Sequence, residues 1–203
     1  MDPKNYIGTK NFYLCKNRTT LEVGPFDGIF TDLILKEQPK KLILLEAHRP
    51  SIVDSLSVKY QRDDVEIIYG DMHYDFDKVG KVDVAILYGV IYHSHAPLLV
   101  FEELVNYCDP DFILLDAPGS YEGWGITAVD ETADDPGMRQ LIDKTWKSCN
   151  IVTPLNEETI IRAFENLGYV CADKKKSIMA GHWKSFCPIF KFKKQVKNEN
   201  TNP

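Results

Sequence analysis

Glu22, Gly24, Gly28 and Glu46 are the residues whose types and spacing first suggest chemistry in this sequence. The two glycines follow a short apolar run, Thr20 to Val23, and precede Ile29, Phe30, Leu33 and Ile34, which fall on one helical face. Strand, glycine turn and helix in that order make a cradle for a nucleotide, because glycine lets the backbone turn tightly and approach a ligand. Glu46 ends a second apolar run that begins at Lys41, and a carboxylate at such a strand end can accept both protons of a ribose diol. Two strand ends therefore converge on one nucleoside.

The glycine pattern bears on which nucleoside. A dinucleotide fingerprint requires Gly-x-Gly-x-x-Gly so that amides and a helix N-terminus can reach a pyrophosphate. Here Phe26 stands where the middle glycine would be, and Glu22 would repel a phosphate but suits a cationic amino acid moiety. With its Glu-x-Gly-x-x-x-Gly spacing and the acid at Glu46, the chain resembles the class I S-adenosylmethionine-dependent methyltransferases. That resemblance implies S-adenosyl-L-methionine as cofactor, bound along Glu22, Gly24, Pro25, Phe26, Gly28, Glu46 and Ala47. The competing readings are an NAD(P)-type Rossmann oxidoreductase, which Phe26 and Glu22 disfavour, and a catalytically silent cofactor-binding or interaction module.

The elements that must hold these residues alternate along the chain. Val65 to Tyr69, Val82 to Tyr88 and Asp111 to Asp116 are near-continuous apolar runs, as parallel strands covered on both faces should be. Leu98, Leu99, Phe101, Leu104 and Val105 follow Pro97 at helical spacing, and proline suits a first helical turn. Asn156 reads as an N-cap with Glu157 and Glu158 in the first turn, before the stripe Ile160, Ile161, Phe164, Leu167 and the terminating Gly168. Tyr169 to Asp173 and Phe186 to Phe192 read as two further strands. The alternation predicts an α/β doubly wound sheet. The family resemblance makes it a seven-stranded Rossmann-like sheet, mostly parallel with an antiparallel last strand, in a single methyltransferase domain over 1–194, with 195–203 as a disordered tail.

The same resemblance assigns roles at the later strand ends. Asp71 would accept a hydrogen bond from the adenine amino group, Met72 would offer its amide and a soft face to the ring, and Tyr88 and Gly89 would lie near the sulfonium. Beyond them, the spacing Gly89-Val90-Ile91-Tyr92-His93-Ser94-His95-Ala96-Pro97 is similar to that of tRNA wobble-uridine carboxymethyltransferases, which use carboxy-S-adenosylmethionine. The likeness is local. Methyl transfer needs in-line positioning and, where the nucleophile holds a proton, a base, for which histidine is suited near neutral pH. His93 is the candidate base or acceptor-orienting residue and Tyr92 its partner against the cofactor, with a histidine that only caps the next helix as the alternative. His95 is a weaker candidate.

Acceptor choice is assigned to an insert at about 117–153, long for a connection, with Tyr121 and Trp124 as stacking surfaces and, from Ala117 to Asp135, five acids, Glu122, Asp130, Glu131, Asp134 and Asp135. Met138 to Cys149 reads as a helical lid with Leu141, Ile142 and Trp146 inward. An opposite signal comes from the C-terminal side, where Lys174, Lys175, Lys176, His182 and Lys184 are placed on a connection rimming the pocket. Lys191, Lys193, Lys194 and Lys197 are placed at the far end. A small-molecule or nucleoside acceptor fits best, and the formal charge of -6 disfavours a long nucleic acid. The chain is 44% hydrophobic and has no apolar stretch of membrane-spanning length. Cys15, Cys108, Cys149, Cys171 and Cys187 are scattered and odd in number, which suggests neither disulfides nor zinc and fits a reducing, cytoplasmic setting.

Overall fold

A computed structural model describes residues 7–47, 50–94, 96–117, 155–178 and 186–195. A 3₁₀ segment, Ile7–Cys15, leads into β1 (Thr19–Val23), α1 (Ile29–Lys36), β2 (Lys41–Glu46), α2 (Pro50–Lys59) and β3 (Val65–Tyr69). There follow α3 (Phe76–Val79), β4 (Val84–Leu87), a 3₁₀ turn (Ile91–His93) and α4 (Pro97–Glu103), which widens into a π turn (Leu104–Cys108). The last described elements are β5 (Phe112–Asp116), α5 (Glu157–Asn166), β6 (Tyr169–Ile178) and β7 (Phe186–Lys194).

The described strands form one seven-stranded sheet of order β3-β2-β1-β4-β5-β7-β6. The first five are parallel, with Glu22 opposite Leu44 and Ile86, and Ile86 opposite Leu114. β7 runs antiparallel to β5 and to β6. The apolar runs of β1, β2, β4 and β5 form buried strands because each residue parity packs into its own core, whereas β3, expected to be covered on both faces, is an edge strand with no fully buried residue. Leu21, Val23, Ile43, Leu45, Ala85, Leu87, Ile113 and Leu115 meet Phe101, Phe164, Phe190 and Phe192 on one face. Leu42, Leu44, Val84, Ile86 and Leu114 meet Phe12, Ile34, Leu56 and Tyr60 on the other. On the first face the rings of Phe164 and Phe192 lie 4.3 Å apart between centroids, and those of Phe101 and Phe164 4.5 Å apart. Asn156 caps α5 as its type implies, Oδ1 accepting from the Thr159 amide at 2.7 Å.

One expectation is corrected. Lys174, Lys175 and Lys176 do not form a connection at the pocket rim: they continue β6 to Ile178, in register with Phe190, Ile189 and Pro188 of β7. β6 is the edge of the sheet, where lysine discourages pairing with another chain, so a polar run is compatible with a strand there. Lys174 Nζ also lies 2.6 Å from Glu157 Oε2 of α5, and Lys175 Nζ 3.1 Å from Asp173 Oδ2. At the other end of the sheet, Lys194 Nζ sits 2.6 Å from Asp109 Oδ1. His182, Lys184 and Lys197, the lid over Met138 to Cys149, and 196–203 of the expected tail lie outside the described residues, as does the insert beyond Ala117. Among the described residues no helix is long and apolar enough to cross a membrane.

Candidate functional site

The sheet reverses its winding between β1 and β4, and in open α/β sheets ligands bind in the crevice outside the carboxyl ends of strands at such a point. The loop leaving β1 lies here. The Gly24 amide donates to Leu45 O at 2.8 Å, prolonging the ladder to β2, and the Gly28 amide donates back to Pro25 O at 2.8 Å. Gly24 and Gly28 both have positive φ, +67° and +78°. A Cβ on Gly24 would fall 2.4 Å from Val90 Cγ1, and one on Gly28 2.3 Å from the Tyr60 hydroxyl oxygen. The exits of β1 and β4 therefore abut with no room for a larger residue. Tyr60, at the end of α2, fixes the loop from outside, donating toward Gly28 O at 3.0 Å and Asp32 Oδ1 at 2.8 Å.

Phe26 is the tip of this loop. It takes φ of 50°, a left-handed conformation that costs a side-chain-bearing residue about 1–2 kcal/mol. The residue is 46% exposed. What holds the strained turn is Glu46, only 4% exposed, whose Oε2 accepts the Phe26 amide at 2.9 Å. The β2 carboxylate and the β1 loop are thus joined as one wall, with half-buried Ala47 following.

Glu22 lies deeper, at 3% exposed, and its Oε2 accepts from the Thr31 hydroxyl at 2.6 Å. Burial pushes its carboxyl up to about 8; the Thr31 hydrogen bond opposes this, and the charges of Glu46, Asp32 and Asp27 add to it. At neutral pH it is largely protonated.

The exits of β3 and β4 make the facing side. Asp71 Oδ1 accepts from the His73 amide at 2.8 Å, and half-buried Met72 packs against the first core. Tyr88 is a core aromatic: its ring stacks on Phe12 at 5.9 Å, meets Phe30 edge-on at 5.8 Å, and its hydroxyl donates to Gly8 O at 3.2 Å. Burial raises its phenol well above the ordinary value. Gly89, with φ of 74°, carries the chain away from the sheet, its amide donating to Asp116 Oδ1 at 2.6 Å. Tyr92 and His93 lie in the 3₁₀ turn, with the His93 amide donating to Val90 O at 3.0 Å and the His93 ring half-buried. His95 lies outside the described residues.

The structure brings Glu22, Gly24 to Gly28, Glu46 and Gly89 to adjacent strand ends at the switch point, with Asp71 and Met72 at the exit of β3. Three functional candidates escaped the sequence reading: Asp116, His73 and Ser94. Asp116 ends an apolar run as Glu46 does, and that signal was available. His73 and Ser94 have no local signature, because their meeting depends on the crossover between β3 and β4.

This sheet order with its antiparallel β7 is the class I methyltransferase fold. The chain is similar to the N-terminal domain of EvdMO1 solved with SAH bound, at TM-score 0.65 and 18% identity over 93% of this chain and 79% of that one. It is similar also to Burkholderia thailandensis 1,6-didemethyltoxoflavin-N1-methyltransferase with its substrate and S-adenosylhomocysteine, at TM-score 0.67 and 11% identity over 95% and 80%. The N-methyltransferase NodS from Bradyrhizobium japonicum WM9, in complex with S-adenosylhomocysteine, matches at TM-score 0.66 and 14% identity over 96% and 87%. No protein-family model and no curated protein matches the sequence.

Proposed function

We propose that this protein transfers a methyl group from S-adenosyl-L-methionine to a small-molecule or nucleoside acceptor. The observation that carries the reading is the glycine loop latched to Glu46 at the switch point of a sheet whose last strand, β7, is inserted antiparallel beside β5. A dinucleotide-binding sheet ordered 3-2-1-4-5-6 has no such insertion, and Phe26 occupies the turn where a pyrophosphate needs bare backbone. Neighbours of the same fold solved with S-adenosylhomocysteine support the same choice.

The residues present suit that group by their chemistry. An ionised carboxylate offers about four acceptor sites, so Glu46 can take a ribose diol beside the Phe26 amide, and Asp71 can take the adenine amino group beside its bond from His73. Gly24, Pro25, Gly28, Ala47, Met72 and Gly89 would line the remainder, while the buried Tyr88 side chain leaves only its backbone to contribute. When bound, S-adenosylmethionine supplies a methyl group made electrophilic by its sulfonium. His93 would hold or remove the acceptor's proton at a ring nitrogen, and Tyr92 would complete that wall. The insert at 117–153 remains the proposed acceptor-selecting region within one domain over 1–194.

Isothermal titration with S-adenosylmethionine, S-adenosylhomocysteine, carboxy-S-adenosylmethionine and NAD(H) tests the donor. S-adenosylhomocysteine is expected to bind, and Glu46→Ala to weaken it at least about tenfold, the loss of one charged hydrogen bond. Tight NAD(H) binding with no affinity for S-adenosylhomocysteine would overturn the proposal. The carboxy-S-adenosylmethionine arm addresses the local likeness of Gly89 to Pro97 to wobble-uridine carboxymethyltransferases. A labelled-methyl screen over small molecules and nucleosides then identifies the acceptor. Full turnover in His93→Ala with normal donor binding would remove the base role.

A further inference from the structure

β3 and β4 are separated by β2 and β1, three strand spacings or roughly 14 Å. The loops leaving them nevertheless meet through one side chain. His73, 7% exposed, places Nδ1 2.6 Å from Asp71 Oδ1 and Nε2 2.7 Å from Ser94 Oγ. Ser94 is fully buried and directly follows His93. Its amide donates to Ile91 O at 3.1 Å, and its Oγ accepts the Ala96 amide at 3.0 Å. On the other side the Asp71 amide donates to Asp75 Oδ2 at 2.7 Å.

Ser94 Oγ receives the Ala96 N–H on one lone pair, which leaves a second lone pair and its own proton, either of which can meet His73 Nε2. The Asp71 carboxylate accepts, so Nδ1 carries the proton between them. Each link is then a hydrogen bond of the kind that buried polar groups require.

We propose that His73 is a positioning residue: a buried brace from Asp71 to Ser94 that sets the β3 exit against the turn carrying Tyr92 and His93. It acts through Asp71 and Ser94. Naming these sides as the nucleoside side and the acceptor side rests on the methyltransferase reading; the brace does not.

The test is amide hydrogen exchange on the full chain, comparing wild type with Ser94→Ala and His73→Gln. Ser94→Ala is expected to speed exchange about tenfold at 71–75, across the crevice, as well as at 91–96, while β1 and β2 keep their protection. Faster exchange confined to 91–96 would overturn the brace. Should either variant fail to fold, the ¹⁵N shifts of the His73 ring in wild type decide: a protonated Nδ1 supports the link to Asp71, and a bare Nδ1 refutes it. A titration cycle with S-adenosylhomocysteine over Asp71→Asn, Ser94→Ala and the double variant adds a functional readout. The brace predicts a double variant little worse than Asp71→Asn, whereas independent losses would refute the coupling. If wild type binds no S-adenosylhomocysteine while the exchange effect still crosses the crevice, the methyltransferase reading falls and the brace stands. Binding with purely local exchange is the reverse outcome.

Discussion

The two ends of the parallel strands use their acids differently. At the carboxyl end Glu22, Glu46 and Asp116 are buried, and two of them accept backbone amides of the crossing loops, Phe26 and Gly89. At the amino end Asp83 ties down the Thr19 amide at 2.8 Å, but Asp109 is a partly exposed acid paired with Lys194. Buried acids cost desolvation that surface pairs do not, and they persist where backbone must be held in one shape. The carboxyl end is built to hold loops still, and the amino end mainly to stay in water.

Substitutions on the two ends should separate these roles. Gly24→Ala is expected to be the most damaging, destabilising by about 3 kcal/mol, because it places a methyl against Val90 at a positive φ. Urea unfolding would measure it, and Val90→Ala in the same chain should restore part of the loss. Asp116→Ala should cost about 2 kcal/mol by leaving the Gly89 amide without its acceptor; a loss no larger than that of a surface pair would break the contrast.

Glu22 gives a pH signature. Its folded-state value of about 8 lies above the ordinary 4.5, so between these pH values the folded chain holds a proton that the unfolded chain has released. Stability therefore falls as pH rises through this window and has lost its full share above pH 8. Melting temperatures of Glu22→Gln should decline less from pH 5 to pH 8.5 than those of wild type. A parallel decline in both would remove the assignment. The smallest effect belongs to the amino end: Lys194→Ala should change stability by less than about 1 kcal/mol, and less still in high salt.

Much of the sheet was legible because parallel strands covered on both faces have little choice but apolar runs, as Lys41 to Glu46 and Asp111 to Asp116 display. Glycine at 24 and 28 was legible for the related reason that only backbone fits there. β6 was read too short, since three lysines resemble a loop unless the strand is known to be an edge. The N-terminal 3₁₀ segment received no assignment, although Phe12 and Cys15 fill the second core, where burial pushes the Cys15 thiol up to about 12. Tyr88 was expected near the sulfonium, but its packing on Phe12 and Phe30 places the ring in the core. His73 and Ser94 lay beyond local pattern, being brought together only by the topology.

The position of β7 has a consequence during synthesis. This strand is the last of the described elements yet lies inside the sheet, with β5 on one side and β6 on the other. Until residues near 194 have left the ribosome, Phe112 to Asp116 presents an unpaired apolar edge on an otherwise assembled nascent sheet. Such an edge invites pairing with another chain, so the interval between translation of β5 and of β7 is when this protein most needs a chaperone.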